Sequence, residues 1–260
     1  SGGGESPRLA PRFPKSCMRS VESAAESRVF EAAQAIGGHP MDFFEKLLPY
    51  LRGYATEERE NWILFEDPVT SVEVPYTSLL TAAVIDGILA RYPFLKSGEI
   101  GKSVMGKPIS YLEIGNGEKE VFYNASFHAN ESITTPVLLK FAEEYAQAYE
   151  KGTALYSVPA AELFEEYRLF LVPLVNPDGV DLVNGLLTDG GYYRRAQQIA
   201  SDYPAIPFPS GWKANIEGID LNLQFPAGWE NAKRIKYAQG YTKPAPRDYV
   251  GEAPLTAPES

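Results

Sequence analysis

Two apolar runs of strand length, separated by one amphipathic stretch of helix length, constrain this chain more than any other feature. Residues 119–127, KEVFYNASF, and 167–175, YRLFLVPLV, are rich in aliphatic and aromatic side chains, the composition of strands buried in a sheet. Between them lies TTPVLLKFAEEYAQAYEKG, residues 134–152, with apolar residues at helical spacing. A threonine opens it, Pro136 falls in its first turn and Gly152 closes it. Strand, helix and strand in that order predict an α/β fold, a sheet with helices on its faces.

The flanking segments extend this pattern. Residues 76–93, YTSLLTAAVIDGILARYP, have helical spacing and stop at Pro93. Residues 98–117 alternate in short stretches broken by glycines, as strands of a hairpin do. Directly after the second apolar run, Asn176-Pro177-Asp178-Gly179 has the residues of a tight turn, an architectural role. Upstream the character changes. Residues 1–40 mix Gly, Pro, Ser and scattered charge without periodicity, and 41–65 are helix-prone but interrupted by Pro49 and Gly53. This divides the chain into an N-terminal extension, 1–72, partly flexible and helical over about 41–65, and a main domain, 73–260. His39, in the extension, reads as an exposed loop residue.

Composition excludes several classes of function. A net charge of −10 opposes binding to nucleic acid or to an anionic membrane surface. Cys17 is the sole cysteine, so neither an intrachain disulfide nor a thiolate metal cluster can form. No run approaches the roughly 20 apolar residues of a membrane span, and residues 1–20 contain no apolar core of a signal peptide. The compartment stays open between cell wall or extracellular space and cytoplasm.

The chemistry concentrates at His128-Ala129-Asn130-Glu131, between the first apolar run and the helix. Active-site groups of α/β proteins gather at the carboxyl ends of strands. An imidazole and a carboxylate on one turn can bind the same Zn²⁺, each at about 2.0–2.2 Å. The bare His-x-x-Glu pattern also fits an ordinary surface turn.

Its context is more specific. FYNASFHANESITTP, LVPLVNPDGVDLVNG and GWKANIEGIDLNLQFPAGW occur in the order and approximate spacing seen in M14 zinc carboxypeptidases. Their wording is closest to the γ-D-glutamyl-meso-diaminopimelate peptidase branch, which cuts peptidoglycan stem peptides. The resemblance covers roughly residues 74–260. It implies a mixed central sheet flanked by helices, one catalytic Zn²⁺, and a peptide substrate, a bacterial muropeptide. His128 and Glu131 match the first two zinc ligands. Arg194 matches the arginine that polarises the scissile carbonyl, with Arg195 as the alternative, and Asn222 matches a substrate-holding asparagine. Trp212, Phe225 and Trp229 read as packing residues.

Two departures accompany the resemblance. The arginine that clamps a substrate's terminal carboxylate in carboxypeptidases is replaced by Leu223, which cannot make a bidentate ion pair. Classical C-terminal trimming is thereby disfavoured, and an internal or branched γ-glutamyl linkage fits better. In addition, no histidine follows His128, while catalytic zinc ordinarily takes three protein ligands. Glu230, Glu252 and Glu259 do not stand in the context of the family's general base. The expectation is a chain truncated at its C-terminus. Two other readings stay open: a zinc deacylase or amidase on the same scaffold, and a non-catalytic peptide- or wall-binding module.

Overall fold

A computed structural model describes residues 68–72 and 74–260. The helix expected over 41–65, His39, and all but the last few residues of the extension 1–72 lie outside the described residues.

The main domain is built on a four-stranded mixed sheet. Helix α1, Ser78–Arg91, precedes the antiparallel pair β1, Lys96–Lys102, and β2, Pro108–Ile114. Strand β3, Lys119–Asn124, leads through a short turn into α2, Thr134–Glu150. A small hairpin follows, β4, Ala154–Leu155, with β5, Val158–Pro159, and then α3, Ala160–Glu166. Strand β6, Tyr167–Val172, enters the sheet between β2 and β3, giving the order β1-β2-β6-β3. It runs antiparallel to β2 and parallel to β3, with Asn124 paired to Val172. Parallel pairing places the carboxyl ends of β3 and β6 side by side, which is where the α/β rule puts a site. Helices α4, Pro177–Val183, α5, Gly190–Ser201, and α6, Trp229–Ala238, complete the described fold.

Helix α2 forms because its apolar face has a sheet to cover. Leu139, Ala142, Tyr145 and Ala146 pack with Leu112, Ile114, Leu169 and Leu171 of the sheet and with Val84, Ile85 and Ile88 of α1. Full burial of one such leucine or isoleucine contributes about 1.5–3 kcal/mol, so this face dominates the stability of the helix. The expected threonine cap is not formed. Thr134 is inside the helix, and its hydroxyl donates to the Glu131 carbonyl and accepts from Ser126 N–H.

The first apolar run is not the buried strand expected of it. β3 sits at the edge of the four strands, leaving Phe122 57% and Tyr123 50% exposed. Burial on both faces and both edges needs neighbours, and composition cannot say whether they are there. β6, of similar composition, has strands on both sides and buries Leu169, Leu171 and Val172.

The segment Asn176 to Gly179 opens a helix rather than a tight turn. Asn176 is the N-cap, accepting from Gly179 N–H at 3.0 Å, and Pro177 occupies the first turn, where its missing N–H costs nothing. The architectural role holds. Asn176 is wholly buried, and its amide donates to the carbonyls of Phe127 at 3.2 Å and Ala214 at 3.0 Å. A β-carbon on Gly179 would lie 2.8 Å from that of Ala129, so the close approach of α4 to the His128 turn requires glycine.

The other side of α4 carries a buried ion cluster. Lys107 lies 2.6 Å from Asp181 and 3.1 Å from Asp178. Asp181 also accepts from the backbone and hydroxyl of Ser78, and Asp178 from Met105 N–H at 2.9 Å. Burial works against the ammonium charge, yet the two carboxylates hold Lys107 above its ordinary value.

Candidate metal centre

The chain leaves β3 through a constrained bend. Ser126 is buried and left-handed at φ 51°, a conformation few residues other than glycine, Asn and Asp adopt. Hydrogen bonds fix it there: its N–H donates to Thr134 Oγ1, its carbonyl accepts from Asn176 N–H, and its hydroxyl lies 2.7 Å from Thr135 Oγ1. Two residues on, His128 precedes a 3₁₀ turn, Ala129–Glu131, which returns the Glu131 side chain to the imidazole.

The two ring nitrogens of His128 face different surroundings. Nε2 lies 3.1 Å from Oδ1 of Asp220, a carboxylate only 6% exposed. Nδ1 lies 3.1 Å from Oε2 of Glu131, which is 46% exposed. Each nitrogen therefore faces an oxygen that only accepts, and both positions favour an N–H. A metal ion taking the place of the Nδ1 proton would sit between Nδ1 and the half-exposed Glu131, while the buried Asp220 kept the proton on Nε2. In carboxylate–histidine–metal sites an outer carboxylate orients the ligand ring in the way Asp220 orients His128.

The electrostatics favour protonation of the ring. Hydrogen bonding to Asp220 is the main cause raising the His128 pKa, opposed by partial burial and helped by Glu131. Burial alone would push Asp220 up, but the bond to His128 and the backbone N–H groups of Asp248 and Asn222 hold it below the usual carboxylate range. Glu131 is likewise lowered, with Lys213 and His128 outweighing its desolvation. Lys213 Nζ donates to Glu131 Oε1 at 2.6 Å, and its backbone carbonyl accepts from Ala129 N–H at 3.0 Å.

The expected site residues are thus partly assembled. His128 and Glu131 meet. Asn222 and Leu223 lie in a 3₁₀ turn, Leu221–Leu223, beside Asp220; Asn222 is exposed and Leu223 half-buried. Arg194 and Arg195 are exposed on α5, and neither bonds to His128, Glu131 or Asp220. The cation that does reach the cluster is Lys213, which sequence reasoning missed along with Asp220. Both lie in GWKANIEGIDLNLQFPAGW, and an Asp two residues before Asn222 inside an apolar stretch was the available signal. Trp212 and Trp229 are buried packing residues as expected, whereas Phe225 is exposed, 6.1 Å from the Phe127 ring. Glu259 is buried and structural, bonded to Asn215 and to Val104 N–H.

The donor set is nitrogen and oxygen with a carboxylate behind the histidine, which suits Zn²⁺. Among the described residues no group of three or more His, Cys, Asp or Glu side chains is placed to hold a metal. His128 and Glu131 therefore offer two donors, with Asp220 already engaged behind the ring.

Comparison with known proteins defines the class. The zinc carboxypeptidase (peptidase M14) family profile matches residues 81–260, and the chain belongs to that family. It is 47% identical over 170 residues to γ-D-glutamyl-L-diamino acid endopeptidase 1 of Lysinibacillus sphaericus, covering 65% of this chain and 41% of that protein. It is 45% identical over 179 residues to the uncharacterized protein YqgT of Bacillus subtilis strain 168, covering 68% of this chain and 46% of that protein. The chain thus spans less than half the length of these relatives. Among solved structures, thrombin activatable fibrinolysis inhibitor aligns with a TM-score of 0.53 at 18% identity, over 74% of this chain and 44% of that one. That likeness bears out the carboxypeptidase-like mixed sheet flanked by helices. No described helix is long and apolar enough to cross a membrane.

Proposed function

We propose that this chain supplies part of the catalytic centre of a zinc peptidase that hydrolyses γ-D-glutamyl–diamino acid bonds of peptidoglycan stem peptides. The observation that carries the reading is the His128 pair, with Nδ1 turned to Glu131 by Asp220. The 47% identity to an endopeptidase of that specificity supports the substrate class.

His128 and Glu131 would hold the metal. The chemistry a zinc ion held there would supply is Lewis acidity, to activate water and polarise the scissile carbonyl. Asp220 keeps the imidazole in one tautomer and one orientation. For the cation that meets developing charge on the carbonyl oxygen we assign Lys213, which already reaches the cluster, in place of Arg194 or Arg195. Asn222 would contact the substrate from the exposed turn beside Asp220. Leu223 offers no guanidinium for a free α-carboxylate, which favours an internal or branched linkage over C-terminal trimming.

The test uses the chain in its full-length context, assayed on a γ-D-glutamyl–diaminopimelate peptide and on a simple peptide with a free C-terminus. The muropeptide should be preferred on the order of a hundredfold, and Leu223→Arg should narrow the gap. Lys213→Met should lower kcat on the order of a hundredfold and Arg194→Met should not. Equal cleavage of both substrates by the unaltered protein sinks the γ-glutamyl reading. A large kcat loss in Arg194→Met alone returns the oxyanion role to that residue.

A further inference from the structure

Behind the carboxylate that orients His128 stands a residue in an unusual conformation. Asp248 has φ 68°, the left-handed region, which aspartate tolerates better than most residues but still at a cost. In that conformation its N–H donates to Oδ2 of Asp220 at 3.0 Å, while Asp220 Oδ1 takes His128 Nε2 at 3.1 Å. The contact is doubled, because Asp220 N–H donates to the carbonyl of the next residue, Tyr249, at 2.8 Å. The Asp248 side chain is anchored separately. Its Oδ1 accepts from Lys236 of α6 at 2.6 Å and its Oδ2 from Arg247 Nε at 3.1 Å.

These bonds form one line from α6 to the imidazole: Lys236 holds the Asp248 carboxylate, the bend presents the Asp248 N–H, that N–H occupies one oxygen of Asp220, and the other oxygen is left for Nε2. A carboxylate with one oxygen bound cannot rotate freely. Its second oxygen then has one direction, and so has the ring nitrogen it faces. We infer that Asp248 is a positioning residue for the metal centre, acting through Asp220 to keep the proton on Nε2 of His128 and Nδ1 turned to Glu131. The inference rests on the reading of His128 as a metal ligand only for its consequence, not for the hydrogen-bond relay itself.

The relay can be read without metal. In the ¹⁵N-labelled 260-residue chain, with His39→Gln identifying the only other histidine, His128 should give a protected Nε2–H resonance. Asp248→Asn, which still accepts the left-handed bend, should keep that resonance and leave Co²⁺ affinity within about twofold. Asp248→Val, whose branched side chain is expelled from that region, should lose the resonance and weaken Co²⁺ binding about 10- to 100-fold. Lys236→Met removes the anchor without touching the bend, and should broaden the resonance and weaken Co²⁺ binding a few fold. It decides the matter if the valine variant does not fold. A merely structural role for Asp248 would lower thermal stability and leave the tautomer of the folded protein alone. A folded Asp248→Val, or failing it Lys236→Met, with an unchanged Nε2–H resonance overturns the inference. His128→Ala separates it from the functional reading: if that variant binds Co²⁺ as well as the parent does, the metal centre itself is misassigned; if it binds weakly while a folded Asp248→Val binds normally, only the relay fails.

Discussion

Around Lys107 the carboxylates of Asp178 and Asp181 are 0% and 1% exposed, whereas around His128 one carboxylate is buried and the other is nearly half open to solvent. Both clusters hang from α4: the first contains two of its residues, and Gly179 of the same helix abuts the turn that carries the second. Each holds a lysine 2.6 Å from a carboxylate. The difference lies in what is left over. Asp181 is surrounded by Ser78 and Lys107, so it joins distant segments and has no further use for its charge. Glu131 keeps a solvent-facing side chain, and His128 keeps a nitrogen turned toward it. A network closed off from water by burial and ion pairing specifies a fold; an open one, with polar atoms facing a common point, can take a ligand.

If that contrast is right, the same substitution should have unlike effects in the two places. Lys107→Met leaves two buried carboxylates without their cation and should cost about 3–5 kcal/mol in denaturant unfolding. A loss below about 1 kcal/mol would mean the cluster is wetter than its burial indicates.

Tyr145 supplies a third case, a buried polar group whose hydroxyl has no hydrogen-bond partner among the described residues. Burial, then Tyr149, pushes its phenol up to about 12. The fold therefore favours the neutral form. Its contribution is intact below the ordinary value near 10, and is lost as pH rises from about 10 to 12, by at most about 1.4 kcal/mol per pH unit. Tyr145→Phe should leave stability at pH 7 unchanged or slightly higher and make alkaline unfolding less steep. An unaltered profile in the phenylalanine variant would show that the hydroxyl is hydrated.

Lys213→Met, the counterpart of Lys107→Met, should cost under about 1 kcal/mol, because Glu131 can turn to water. Its expected effect falls on catalysis, so a large loss of stability would move this cluster into the architectural class. Smallest of all, Arg194→Ala should change stability by less than about 0.5 kcal/mol, as exposed substitutions usually do. A larger thermal shift would reveal a partner for that guanidinium.

The parts of this molecule legible from sequence are those where one local pattern had one physical outcome. The period of α2, Pro136 in its first turn and Gly152 after its end, at φ 63°, left little alternative to a helix of that length. His128 and Glu131 were legible because one turn brings them together whatever the rest of the chain does. Lys213 and Asp220 were not, because Lys213 meets Glu131 across 82 residues of chain and Asp220 meets His128 across 92, contacts that exist only once distant segments have packed. Arg194 fitted the order of motifs yet emerged on the exposed face of α5.

What the sequence determined by itself was therefore the alternation of strands and helices, the extent of α2, and the meeting of His128 and Glu131 on one turn, since each depends on forces acting within a few residues. The tertiary structure decided that β6 is buried while β3 is an edge, that Asp220 and not solvent faces Nε2, and that Lys213 pairs with Glu131. Those outcomes depend on which surfaces remain uncovered and which charges are driven out of water together, and neither quantity exists until distant segments have packed.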